Sequence, residues 1–112
     1  MDDYATPQWI ARCFEGWDDP CPLGGVGDAN GLLREWGERT FANIPYSHPM
    51  PWVEKAIAEA RRGKTIVLLT KVDTSTRWWL KLMEAGARFA CFQRRIQFNG
   101  RDPYFASALV FL

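Results

Sequence analysis

The run Asn43-Ile44-Pro45-Tyr46 holds the residue types best suited to chemistry in this chain of 112 residues. The Asn43 amide oxygen and the Ile44 main-chain carbonyl can each accept one hydrogen of a planar exocyclic amine, while the Tyr46 ring stacks on its face. Such a grip suits methylation at nitrogen. In adenine the N6 lone pair is delocalised into the ring, and accepting both amine hydrogens favours a pyramidal nitrogen that presents the lone pair to an electrophilic methyl group. No metal or protein nucleophile is required, and positioning supplies much of the rate. Neighbouring His48 reads as a loop residue, because methylating an amine needs no strong base. The same four letters also form ordinary turns, so their place in the fold decides what they mean.

The elements around them alternate between strands and helices. Thr6-Pro7 ahead of Trp9, Ile10, Cys13 and Phe14 predicts a short capped helix ending near Gly16. Trp17 to Asp19 predicts a brief strand that breaks at Pro20, and the glycine-rich residues 23–38 predict a loop with at most one helical turn. Thr40-Phe41-Ala42 predicts a strand running into Asn43. After Pro49 and Pro51, the spacing of Trp52, Val53, Ala56, Ile57 and Ala60 predicts an amphipathic helix stopped by Gly63. Thr65 to Thr70 is a continuous apolar run, as in a strand covered on both faces. Asp73 or Thr74 then caps a helix carrying Trp78, Trp79, Leu82 and Met83, closed by Gly86. Arg88 to Phe92 is a further strand, and Ile96-Gln97-Phe98, the turn Asn99-Gly100 and Ala108 to Leu112 suggest a closing hairpin. In an α/β sheet of this kind ligands bind at the carboxyl ends of the strands, where Asp19, Asn43 and Asp73 all fall.

Order and spacing add to the motif. Tyr4-Ala5-Thr6-Pro7, Asp19-Pro20-Cys21-Pro22 and Asn43-Ile44-Pro45-Tyr46-Ser47 follow one another in a sequence that resembles the S-adenosylmethionine-dependent amino-methyltransferases of the gamma arrangement. The chain is most similar to the small phage-type DNA N6-adenine methyltransferase family. Leu32 with Trp36, Trp52-Val53-Glu54-Lys55-Ala56, Asp73-Thr74 with Trp78-Trp79, and Arg95-Ile96-Gln97-Phe98 carry the similarity over nearly the whole chain. The family's usual second residue of the target motif is proline, where this chain has Ile44.

The resemblance implies an α/β fold: a minimal Rossmann-like methyltransferase sheet of about five strands, mostly parallel with an antiparallel C-terminal hairpin strand, and helices on both faces. It implies one reduced domain over residues 1–112 without a separate target-recognition domain, because only 17 residues separate Pro22 from Thr40, where the family has two more strands. Asp28 could stand in for the carboxylate that those strands ordinarily supply to the cofactor ribose. S-adenosyl-L-methionine is the implied cofactor, with Tyr4, Thr6, Pro7, Asp19, Pro20, Cys21 and Asn43 around it. Thr6 and Pro7 hold its methionine end, where a helix N-terminus favours the carboxylate; Asp19 binds its ammonium. Asn43, Ile44, Pro45 and Tyr46 hold an adenine of DNA, flipped out of the stack. Trp52, Trp78 and Trp79 are candidates for that base pocket or the DNA face, although tryptophans at helical spacing more often form a core, and Arg94, Arg95 and Arg101 are candidates for phosphate contacts.

Composition fits this expectation. With 47% hydrophobic, 24% charged and 14% aromatic residues the chain is of the folded class. Its start lacks a signal-peptide pattern and no apolar run reaches membrane-span length, so a cytoplasmic location without a membrane partner is expected. Three scattered cysteines and a single histidine argue against a disulfide framework and a zinc site. The net charge of +1 hides an asymmetry, with −6 over residues 1–59 and +8 over residues 60–101. A basic half suits phosphate contacts and mildly favours nucleic acid as partner. An RNA adenine or a protein amide as methyl acceptor, and a catalytically silent nucleic-acid-binding module, remain as alternatives. A homodimer is expected from size alone, since so small a sheet has little surface for two ligands.

Overall fold

The computed structural model describes residues 5–22, 30–98 and 103–112. Four strands form one sheet in the order β1-β2-β4-β3, with β1 at Arg39–Asn43, β2 at Thr65–Lys71, β3 at Arg88–Cys91 and β4 at Ser107–Phe111. Helix α1 spans Gln8–Ala11 and runs into a 3-10 turn at Arg12–Phe14, α2 spans Asn30–Leu33, α3 spans Pro49–Arg61 and α4 spans Arg77–Glu84. β1 and β2 are parallel, whereas β4 is antiparallel to both β2 and β3. Three strands therefore run the same way, and β1, β2 and β3 all end at one edge of the sheet.

The sheet departs from expectation in strand count and in pairing. The brief strand at Trp17 to Asp19 is a single parallel bridge, Asp18 with Thr40, rather than a fifth strand. Asp18 N–H donates to Arg39 O and Phe41 N–H to Asp18 O, each at 2.9 Å, and the buried Pro20, which has no N–H to donate, follows two residues on. The closing pair forms between β3 and β4, not between residues 96–98 and the C-terminus, and β4 inserts between β2 and β3. Two of the three strand pairings are thus antiparallel, against the mostly parallel sheet expected. The terminal strand itself is antiparallel, as its position suggested. The Asn99-Gly100 turn lies outside the described residues.

Alternation along the strands divides the core in two. Ala42, Ile66, Leu68, Ala108 and Val110 face α3 and α4, meeting Trp52, Val53, Trp78, Trp79 and Leu82. Phe41, Val67 and Leu69 face the other way, toward Ile10, Tyr46, Ile96, Phe98 and Phe105. Helices therefore cover one face, while the other is closed by α1 and by the segments flanking β3 and β4. Trp52, Trp78 and Trp79 are 4%, 7% and 5% exposed. Their rings stabilise the core, which corrects their placement on a DNA face.

Ends of helices obey local chemistry with small shifts of position. Pro49 and Pro51 sit in the first turn of α3, where a missing N–H costs nothing, and Gly63 beyond its last turn has φ 92°. Helix α4 is capped by Thr76, whose Oγ1 accepts from Trp79 N at 3.3 Å, rather than by Asp73 or Thr74. Pro7, not Thr6, occupies the cap position of α1, which makes only one turn before tightening to 3-10 geometry.

The link from α2 to β1 is fixed by a buried ionic knot. Lys64 Nζ donates to Glu59 Oε1 at 2.6 Å, to Trp36 O at 2.6 Å and to Glu35 Oε2 at 2.9 Å, and Lys55 Nζ donates to Glu59 Oε2 at 2.6 Å. Glu59 is 1% exposed. Burial alone would raise its pKa, but hydrogen bonds from Lys55, Lys64 and the Trp36 backbone outweigh it and hold the carboxyl at about 2, against an ordinary 4.5. A depressed carboxylate pKa contributes stability above its unfolded value that disappears as pH falls toward the folded one. The melting temperature should therefore be level above 4.5 and decline between 4.5 and about 2. Thermal melts across this range check it: Glu59→Gln should be less stable at neutral pH and show a flatter acid limb.

Candidate functional site

Asn43 is the last residue of β1 and points into the carboxyl edge of the sheet. The β1–β2 ladder extends one bond further, from Ile44 N–H to Leu69 O at 3.2 Å, and stops there because Pro45 has no N–H. Residues 46–48 then bend away into α3. This places the Asn43 amide where a strand gives way to a loop, the position a ligand-holding residue needs.

Hydrogen bonds to two described residues, Thr6 and Tyr46, orient that amide. Asn43 Nδ2 donates to Thr6 Oγ1 at 3.2 Å, across 37 positions of sequence, and Tyr46 OH donates to Asn43 Oδ1 at 3.3 Å. Thr6 and Asn43 are thus in contact, and Thr6 makes that contact through its own hydroxyl, not as a helix cap. Asn43 is 2% exposed and Ile44, Pro45 and Tyr46 are buried. The Tyr46 ring packs against Phe105 at 4.7 Å and Phe98 at 5.9 Å between centroids, so it belongs to the apolar cluster instead of offering an open stacking face.

Thr6 lies where two concavities meet. The smaller, about 180 Å³, is bounded by Thr6, Phe14, Trp17, Asp19 and Phe41. The larger, about 680 Å³ and open to solvent, runs between Thr6, Pro7 and Trp9 on one wall and Phe92, Arg94 and Arg95 on the other. Among the described residues that line it there is no carboxylate.

The paired aspartates divide their work. Arg34 forks onto Asp18, with Nη1 to Oδ2 at 2.7 Å and Nη2 to Oδ1 at 2.8 Å, and Gly37 N–H adds a bond of 2.9 Å. That guanidinium holds the Asp18 carboxyl below its usual range despite partial burial. Asp18 therefore anchors the link to the bridge beside β1. Asp19 is exposed on the small cavity and accepts from Cys21 N–H at 3.1 Å, which shapes the turn through the buried Pro20 and Cys21.

Arg94 and Arg95 are exposed on the large groove. Tyr4, Asp28 and Arg101 lie outside the described residues. Trp9 was legible only as part of an apolar helix face, yet it is 55% exposed on this groove. Among the described residues no helix is long and apolar enough to cross a membrane, and no group of three or more His, Cys, Asp or Glu side chains is placed to hold a metal ion.

A family model described as DNA N-6-adenine-methyltransferase (Dam) matches residues 26–107. The chain is 32% identical, over an alignment of 94 positions, to a protein named DNA N-6-adenine-methyltransferase from Haemophilus phage HP1 (strain HP1c1). That alignment covers 70% of this chain and 54% of the phage protein, so the chain spans about half the length of the curated relative. No solved structure matches it.

Proposed function

The chain belongs to the DNA N-6-adenine-methyltransferase family, and from that premise we propose that it methylates adenine N6 in DNA with S-adenosylmethionine as donor. The observation that carries the proposal is the Asn43 amide, bonded to Thr6 at the meeting point of the two concavities.

The small cavity suits the amino-acid end of the cofactor. Its volume of about 180 Å³ lies below the ~300 Å³ at which pockets begin to enclose drug-sized ligands, so it accommodates a fragment and not the adenosine. Asp19 supplies a carboxylate for an ammonium, and the Thr6 hydroxyl supplies a neutral hydrogen-bonding group beside it. With four residues, α1 adds little of the dipole that a longer helix offers a carboxylate. When bound, S-adenosylmethionine supplies an electrophilic methyl group on a sulfonium.

The chain's own residues position the acceptor. Because Asn43 is buried, an incoming adenine amine exchanges with an internal partner, and the Tyr46 hydroxyl is the donor to Oδ1 that an N–H replaces like for like. The Ile44 carbonyl accepts the second amine hydrogen, and withdrawal of both hydrogens from the ring plane raises the nucleophilicity of N6. Thr6 keeps Nδ2 turned away from the amine, so the amide presents oxygen to it. The base arrives extruded, since its amine is otherwise engaged in pairing.

Arg94 and Arg95 give the large groove its positive charge, which suits backbone phosphates. Replacing both by alanine should weaken DNA binding at every sequence and lower the slope of log affinity against log salt by roughly 2, about 0.9 for each phosphate that is no longer neutralised. Affinity measured at several salt concentrations checks this. Calorimetric titration with S-adenosylmethionine tests the enzyme assignment against a silent binding module: saturable heat is expected, weakened by Asp19→Ala, and no heat at millimolar ligand would overturn it.

A further inference from the structure

The large groove carries an aromatic ring that the chemistry above does not use. Trp9 is 55% exposed, whereas Trp52, Trp78 and Trp79 on the longer helices are all below 8%. In the one-turn helix α1 only Ile10 is buried, so burial of an apolar face does not account for the neighbouring tryptophan. The Trp9 ring is braced by Phe92, with centroids 5.6 Å apart and planes at 88°. Both rings line the groove together with Arg94 and Arg95, and Thr6 connects the same groove to Asn43. An exposed, braced indole next to two guanidiniums is the combination that holds a nucleic-acid strand, with a base on the π face and phosphates on the cations.

We infer that Trp9 is a stacking platform for the nucleotide next to the extruded adenine. The inference rests on the nucleic-acid reading of the site given above and adds a contact to it. Extruding a base costs its neighbours their stacking. An indole at the groove restores one such interaction, and because every base has a π face the platform tolerates many flanking sequences.

Fluorescence anisotropy with a labelled single-stranded oligodeoxynucleotide, one adenine among pyrimidines, reads the contact. Trp9→Ala should weaken binding by about 10-fold or more and Trp9→Phe by less than about 3-fold, both with the parent's salt slope, because stacking releases no counterions. The arginine double variant should move the slope instead. Parent-like affinity in Trp9→Ala, from a chain that binds and methylates DNA, overturns the platform and leaves the methyl-transfer assignment intact. Failure of the parent to bind any oligonucleotide overturns both.

Discussion

Asn43→Ala is expected to slow methyl transfer to DNA by at least ~100-fold, the loss that follows removal of one oriented transition-state hydrogen bond. The substitution also takes away the acceptor of the Tyr46 hydroxyl and the donor to Thr6. Loss of a buried partner costs roughly 1 to 3 kcal/mol, so stability and chemistry must be separated. Adding Tyr46→Phe to Asn43→Ala removes the hydroxyl that has lost its Asn43 acceptor while keeping the ring against Phe98 and Phe105. The double variant should regain part of the melting temperature and none of the rate. Labelled-methyl transfer read beside thermal melts distinguishes the two effects, and a double variant that recovers activity would make Asn43 a structural residue only.

Gly31→Ala is the second large effect, and it acts through packing. A Cβ at Gly31 would run into the Pro20 carbonyl oxygen and approach the Trp52 ring to 2.8 Å. A backbone carbonyl cannot swing aside as a side chain can. The Trp36 indole N–H also donates to Gly31 O at 2.7 Å, so α2 cannot slide without breaking a buried bond. Overpacking of this kind costs ~1 to 3 kcal/mol or more, which for a chain of this size lowers the melting temperature by roughly 10 °C. Because the displaced turn is Pro20-Cys21, next to Asp19, affinity for S-adenosylmethionine should fall as well. Melts and calorimetry on the variant check both parts, and an unchanged cofactor affinity would disconnect this turn from the cavity.

Much of the framework was legible because it depends on local pattern. The apolar run of β2, the helical spacing in α3 and the glycines at 63 and 86 each report a constraint that acts within a few residues. Pairing is different. Nothing local to residues 107–111 says that they insert between β2 and β3, because that choice is set by which edges remain uncovered once the other strands are in place. The bridge at Asp18 failed to become a strand for a similar reason: one consecutive aspartate is committed to Arg34 and the other turns toward Cys21.

The site shows the same division. That Asn43 stands at the end of a strand could be read from the sequence. Its bond to Thr6 could not, since a capping threonine and a threonine that orients a distant amide have the same letter and the same proline after them. Helical spacing likewise could not tell the buried Trp52 and Trp78 from the exposed Trp9, because exposure depends on what the rest of the chain lays over each face.

Identification of the modified nucleoside tests the central claim most directly. DNA incubated with the chain and S-adenosylmethionine, digested to nucleosides and resolved by mass spectrometry, should contain N6-methyladenine, and Asn43→Ala should leave it at background. A methyl group found on another base, or DNA left unmodified by a chain that binds the cofactor, would contradict the assignment of an exocyclic adenine amine to the end of β1.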